Sequence, residues 1–215
     1  MLEISVAGET LVLTAHRHKG RSALLYFGGN GEDVSESLPA FVSAFPDHAI
    51  YLLHYPGYGP SSGSPSEELI HAAALAAFDK IHEDHEIVDV VGRSLGSGVA
   101  THLASERPVH RLILVTPYDS LAEIAASRFP YFPVRWMIED RFESSRYAQI
   151  VRAPTLLLEA ENDEIIPPEN TERLFDAFAK GVATRTVIPM SGHNTISDSP
   201  RYLEAIQSEL NGGSE

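Results

Sequence analysis

The chain has 215 residues and no cysteine, and 16 Lys and Arg stand against 30 Asp and Glu, a formal charge of −14. Its 43% apolar and 21% charged positions describe a globular domain that can bury a core of its own without a disulfide or metal staple. So acidic a surface disfavours nucleic acid and anionic membranes, and the absence of thiols excludes a disulfide framework and any thiolate metal site.

The opening segment, Met1–Gly20, lacks the basic start and apolar core of a secretory signal. No apolar run approaches the ~18 residues of a membrane span. The expectation is a cytoplasmic protein with no membrane span.

In chain order, Leu2–Val6 and Thr10–Ala15 alternate in polarity and predict an antiparallel edge hairpin around Gly8-Glu9. Ala23–Phe27 is a continuous apolar strand, and Val34–Phe45 carries a helical pattern. A strand at Ala49–His54 leads to a helix over Ser66–His82, with Ser66 as N-cap and Glu67 and Glu68 in the first turn, where the helix dipole favours them. Strand Ile87–Val91 precedes helix Leu95–Glu106. Strands follow at Leu112–Thr116 and Thr155–Glu159, then helix Glu169–Lys180 stopped by Gly181, strand Arg185–Pro189 and helix Pro200–Leu210. Continuous apolar strands alternating with helices predict an α/β fold around a parallel sheet covered on both faces, as a single domain over residues 1–215.

The stretch Pro117–Pro154 breaks this rhythm. It carries Phe129, Tyr131, Phe132, Trp136, Met137 and Phe142, together with Pro130 and Pro133. A connection this long is either a lid or pocket wall (residues 117–154), or an ordinary crossover helix with its own core face.

Gly92-Arg93-Ser94-Leu95-Gly96 matches G-x-S-x-G. A serine hydroxyl is a poor nucleophile unless positioned and deprotonated, and a sharp strand-to-helix turn supplies the positioning. The pattern alone is weak: 15 Gly and 21 Ser would produce it by chance roughly once in ten shuffles. Indeed Gly59-Pro60-Ser61-Ser62-Gly63 fits it too. Context separates the two. Ser94 lies between a strand and a helix, whereas Ser61 sits in a Gly-Pro-Ser loop, and Pro60 opposes a tight turn at Gly59.

A serine nucleophile needs a base, and the base needs an acid to orient it, in the order Ser, acid, His for this type of turn. Asp163 follows a strand in the segment Glu161–Pro167, with Glu161 and Glu164 as acidic neighbours, and is the chosen acid because Pro167 suits a side chain turned back toward the sheet. His193 lies four residues past the last predicted strand and is the only histidine after that acid. Two backbone N–H donors complete such a site. Leu95 N–H follows the nucleophile, and Asn30 N–H comes from the glycine-rich loop Phe27–Gly31. A phosphate cradle fits that loop poorly, since Glu32 and Asp33 follow at once and no G-K-[ST] is present.

These segments, YFGGNGED, YPGYGPS, GRSLGSG, NDEIIPP and SGHN, resemble the motif blocks of serine hydrolases of the alpha/beta-hydrolase superfamily, in particular the compact alpha/beta-hydrolase domain-containing proteins. The resemblance runs from about Ala23 to Leu210. It implies a three-layer α/β-hydrolase fold with a mostly parallel eight-stranded sheet and a short lid. It also implies Ser94 as nucleophile, Asp163 as acid, His193 as base, and Asn30 and Leu95 as the oxyanion hole. One departure marks this chain: the His usual before the first loop glycine, which braces that loop, is Gly28.

The expected activity is hydrolysis of a small-molecule carboxylic ester or thioester through an acyl-enzyme, with no metal or organic cofactor. Two rivals are a serine peptidase acting on short peptides and a non-catalytic hydrolase fold that binds a ligand. Leu95, where peptidase relatives often carry an aromatic, argues against the first, and the complete set of three residues against the second. Other features read as structural. His82-Glu83-Asp84-His85 lacks H-E-x-x-H spacing, His16 and His18 lie on an exposed edge, and Arg93 is placed to pair with an acid behind the turn.

Overall fold

The computed structural model describes residues 1–128 and 139–212. The sequence expectations for Phe129, Pro130, Tyr131, Phe132, Pro133, Trp136 and Met137 lie outside the described residues.

Eight strands form one sheet: β1 (Leu2–Val6), β2 (Glu9–His16), β3 (Ser22–Phe27), β4 (His48–Leu53), β5 (Ile87–Arg93), β6 (Leu112–Val115), β7 (Thr155–Asn162) and β8 (Ala183–Gly192). Their spatial order is β1-β2-β4-β3-β5-β6-β7-β8. The β1–β2 and β2–β4 pairs are antiparallel and every other pair is parallel. This is the mostly parallel eight-stranded sheet of an α/β-hydrolase fold. Strand order reverses around β3, whose neighbours are β4 and β5. In open parallel sheets such a reversal opens a crevice at the carboxyl ends of the strands, where ligands bind.

Seven α-helices are described: α1 (Leu38–Ala44), α2 (Glu67–His82), α3 (Leu95–Glu106), α4 (Leu121–Arg128), α5 (Ser144–Ala148), α6 (Pro168–Ala177) and α7 (Pro200–Asn211). Successive strand residues point to opposite faces, so each parallel strand feeds two cores. Leu25 and Phe27 of β3 join a cluster with Phe78 of α2, Val99 of α3 and Leu174 of α6. Leu24 and Tyr26 join another with Phe41 of α1 and Ile206 of α7. The near-continuous apolar strands follow from this burial on both sides.

Local signals account for most element boundaries. Ser66 Oγ accepts the Leu69 N–H at 3.3 Å and caps α2. Three expectations need correction. The continuous helix over Val34–Phe45 is instead a 3₁₀ turn at Val34–Ser37 followed by α1. Pro39 in the first turn of α1 has no N–H to give a preceding carbonyl, so no helical ladder can run through it. The hairpin turn is Ala7-Gly8 rather than Gly8-Glu9, because Val6 pairs with Glu9 and both turn residues have positive φ, 53° and 86°. Helix α6 ends at Ala177, before Gly181: Phe178 turns extended and buries its ring in the core, while Gly181 adopts φ 85° in the approach to β8.

Within 117–154 the structure shows α4 and α5, and Phe142 is buried. Among the described residues no helix is long and apolar enough to cross a membrane.

Candidate active site

Because β3, β5, β7 and β8 run parallel, the loops that leave them emerge at one rim of the sheet. Each of the nominated side chains and amides lies on one of these loops or at its end.

Ser94 occupies the single residue between β5 and α3, with φ 51° and ψ −116°. This backbone is strained for a residue with a side chain, at a cost of about 1–3 kcal/mol. The surroundings hold it there. Its N–H donates to Val115 O at 2.9 Å, and its carbonyl accepts from Ser97 N–H at 2.9 Å and Ser97 Oγ–H at 2.7 Å. The flanking glycines allow close approach of the backbones. A Cβ at Gly92 would lie 2.3 Å from Gly96 O, and one at Gly96 would lie 2.1 Å from Phe27 O. The turn therefore presses α3 against the end of β3, which draws the glycine-rich loop and the serine together.

His193 directly follows β8, which extends to Gly192. The expected four-residue gap is thus a continuation of the strand. Its Nε2 lies 2.9 Å from Ser94 Oγ, and its Nδ1 lies 3.0 and 2.9 Å from Asp163 Oδ1 and Oδ2. The imidazole is 3% exposed, so neither contact competes with bulk water. Asp163 directly follows β7, and its Oδ1 also accepts the Ile165 and Ile166 N–H groups at 2.9 and 2.7 Å, which turns the carboxylate back toward the sheet.

The acidic neighbours have a different task. Glu161 Oε2 accepts Met190 N–H at 2.7 Å, and Glu164 Oε2 accepts His193 N–H at 3.1 Å. One carboxylate from the end of β7 and one from the loop after it thus grip the end of β8 and the histidine that follows it. The sequence shows them only as acidic neighbours of Asp163.

The loop after β3 approaches Ser94 from the other side: a Cβ at Gly29 would lie 3.6 Å from Ser94 Cβ. Among the described residues, neither Asn30 N–H nor Leu95 N–H is committed to an acceptor. Tyr55 Oη–H donates to Gly28 O at 2.9 Å, and Tyr58 Oη–H donates to Asn30 Oδ1 at 2.7 Å. Glu32 accepts from Tyr26 Oη–H at 2.6 Å, Gly29 N–H at 2.7 Å and Arg93 Nη1–H at 2.8 Å. Arg93 therefore has the acidic partner foreseen for it. Burial lowers the Arg93 pKa, but the charge and hydrogen bond of Glu32 outweigh this and the net shift is upward. Sequence reasoning missed Glu32 as part of the site; its one signal was its position three residues past Gly29.

Beside Ser94 opens a cavity of about 400 Å³. Ile70, Leu121, Ile124, Phe142, Ile165 and Ile166 supply its apolar wall, and Asn30, Ser94 and Leu95 also line it. The aliphatic and aromatic lining suits a hydrocarbon chain. By contrast, Ser61 is 7% exposed and bonded at both ends: its Oγ accepts Val12 N–H at 2.9 Å and donates to His54 O at 2.8 Å. His85 likewise serves the frame, holding Tyr51 Oη at 3.1 Å and Gly20 O at 3.0 Å.

Comparison with known proteins gives a consistent placement. The profile of the alpha/beta hydrolase fold family matches residues 23–143. An uncharacterized protein of Mycobacterium tuberculosis (strain ATCC 25618 / H37Rv) is 34% identical over 165 residues, covering 74% of this chain and 58% of that protein. The lysophosphatidylserine lipase ABHD12 of Xenopus tropicalis is 32% identical over 186 residues, covering 75% of this chain and 48% of the lipase. The chain thus spans about half of the length of these relatives. Among solved structures, MGS-M2, an alpha/beta hydrolase enzyme from a Medee basin deep-sea metagenome library, superposes with a TM-score of 0.77 at 15% identity, covering 100% of this chain and 98% of that one. At that identity the likeness concerns the fold.

Proposed function

The chain belongs to the alpha/beta hydrolase fold family, and from that premise we propose that it is a serine hydrolase of carboxylic esters or thioesters with an apolar acyl chain. The observation that carries this reading is the unbroken line of contacts from the Asp163 carboxylate through His193 to Ser94 Oγ, at 2.9 Å on each side of the imidazole.

In this reading Ser94 Oγ attacks the carbonyl carbon while His193 Nε2 takes the hydroxyl proton. Asp163 keeps the other ring nitrogen protonated and stabilises the imidazolium that forms. The carbonyl oxygen becomes an oxyanion between the Asn30 and Leu95 N–H groups, and the N-terminus of α3 points at it with the positive end of its dipole. His193 returns the proton to the leaving alcohol or thiol. Water then repeats the two steps on the acyl-enzyme.

The acyl chain lies in the apolar cavity, whose wall includes Leu121 and Ile124 of α4 and Phe142. The similarity to a lysophosphatidylserine lipase supports an acyl ester as substrate. A small-molecule acyl compound is the only partner this chemistry requires.

The test compares the protein with Ser94→Ala, using a fluorophosphonate probe and a ladder of p-nitrophenyl esters from acetate to dodecanoate. The expected result is covalent labelling and ester hydrolysis by the wild type, with both abolished in a folded Ser94→Ala. Hydrolysis by Ser94→Ala at the wild-type rate would overturn the proposal.

A further inference from the structure

Position 28 carries no side chain that could hold the loop bearing Asn30, and the structure shows what fills its place. A Cβ at Gly28 would lie 2.6 Å from Val34 Cγ1 and 3.1 Å from Glu32 Cδ. The Glu32 side chain therefore folds back into the volume that a side chain at position 28 would need. From there its carboxylate reaches three separate elements. Oε1 accepts the phenol of Tyr26 on β3, and Oε2 accepts both the Gly29 N–H and the guanidinium of Arg93, the last residue of β5.

The charged pair is largely withdrawn from solvent, with side-chain exposures of 15% for Arg93 and 14% for Glu32. A charge-assisted bond in such a setting is strongly directional. Burial keeps Tyr26 a neutral phenol and hence a donor. Arg93 then reaches on toward the histidine loop, with Nη2 at 3.5 Å from both His193 O and Asn194 Oδ1.

We propose that Glu32, locked by Arg93, is the positioning residue for the oxyanion-binding amides. Its carboxylate holds the Gly29 N–H, and its own N–H donates to Gly29 O at 3.3 Å, the carbonyl that shares a peptide plane with Asn30 N–H. Through Arg93 it also couples this loop to the nucleophile turn and to the base. Glu32 touches no reacting atom. This inference rests on the serine-hydrolase reading, and its effect falls on the transition state, because the oxyanion exists only once Ser94 has attacked.

The experiment measures Glu32→Gln. Glutamine can still accept one N–H, but it cannot neutralise Arg93, so the guanidinium is left without its anchor. Misplacing a donor costs less than deleting one, so kcat should fall about 10-fold to 100-fold with KM unchanged. The inhibition constant of an acyl trifluoromethyl ketone, whose adduct carries the oxyanion, should rise by the same factor. That of the corresponding alcohol, which forms no adduct, should stay constant.

An unchanged kcat would overturn the proposal, as would a fall in thermal midpoint with kcat per folded molecule intact, or equal weakening of both inhibitors. If Glu32→Gln does not fold, Tyr26→Phe, which frees Glu32 Oε1 while keeping the ring, is judged by the same criteria. The two readings fail separately. Ester turnover by Ser94→Ala refutes the hydrolase mechanism, whereas loss of turnover in Ser94→Ala with a fully active Glu32→Gln refutes only the positioning role.

Discussion

His193 Nε2 sits 2.9 Å from Ser94 Oγ although 99 residues separate them in the chain and two strands, β6 and β7, separate them in the sheet. At the usual strand spacing β5 and β8 lie about 14 Å apart, so the histidine loop must fold back across the ends of the intervening strands. Asp163 holds the ring from β7 on that path. Glu161 and Glu164 hold the loop backbone at Met190 and His193, and Arg93 meets it from the β5 side. The contact depends on this set of grips and not on the strand positions alone.

Asp163→Asn should leave the fold intact and remove most of the activity. An asparagine Oδ1 can still accept the Ile165 and Ile166 N–H groups. Its amide would then face His193 Nδ1 as a donor, forcing the ring proton onto Nε2, where it can no longer accept from Ser94. A fall in kcat of about 10⁴-fold is expected. Steady-state turnover of a p-nitrophenyl ester, with circular dichroism as a folding control, checks it, and a loss below ten-fold would contradict the assignment.

The second G-x-S-x-G match offers a control within the same chain. Ser61→Ala should keep full fluorophosphonate labelling, since its hydroxyl is occupied by Val12 N–H and His54 O. Removing it strands a buried donor and a buried acceptor, so stability should fall by about 1–3 kcal/mol. Urea unfolding measures the loss, and reduced labelling of the folded variant would count against Ser94 as the sole nucleophile.

A pair of histidines sets an acid limb on stability. His71 of α2 and His102 of α3 stack with centroids 3.8 Å apart at 3°, with Phe142 and Tyr147 against their edges. Burial, and then the neighbouring His102, lower the His71 pKa to about 3. Burial lowers that of His102, with Glu106 opposing. A depressed histidine pKa means that the unfolded chain binds more protons below its ordinary value of about 6.5. Stability is therefore complete above that pH and falls as the pH drops from about 6.5 toward about 3, by up to about 1.4 kcal/mol per pH unit for His71. His71→Phe, which keeps an aromatic ring in the stack, should flatten this limb. Urea midpoints at a series of pH values test it, and identical pH slopes for the two proteins would exclude the mechanism.

The residues that meet at the sheet rim were legible in the sequence because each sits at a local signal. Ser94 lies in a strand-to-helix turn between glycines, Asp163 and His193 come within four residues of predicted strands, and Leu95 starts a helix. Periodicity also carried the α/β alternation, since burial of the parallel strands on both faces leaves an unmistakable apolar run such as Leu112–Val115. Other features could not be read this way. Whether Val34–Phe45 is one helix depended on where Pro39 fell relative to its first turn. The length of β8 depended on pairing with β7, which a local window does not contain.

The sequence by itself determined which groups this protein could bring together: a serine, an aspartate, a histidine and glycine-rich turns, in an order and context that fit one type of site. Only the tertiary structure decided that Glu161 and Glu164 hold backbone near His193, and that Glu32 joins the Asn30 loop to Arg93. The physical reason is distance along the chain. Turn geometry and burial periodicity are local and leave their mark on neighbouring residues. A hydrogen bond between Glu32 and Arg93, 61 residues apart, exists only after the sheet has brought β3 and β5 side by side.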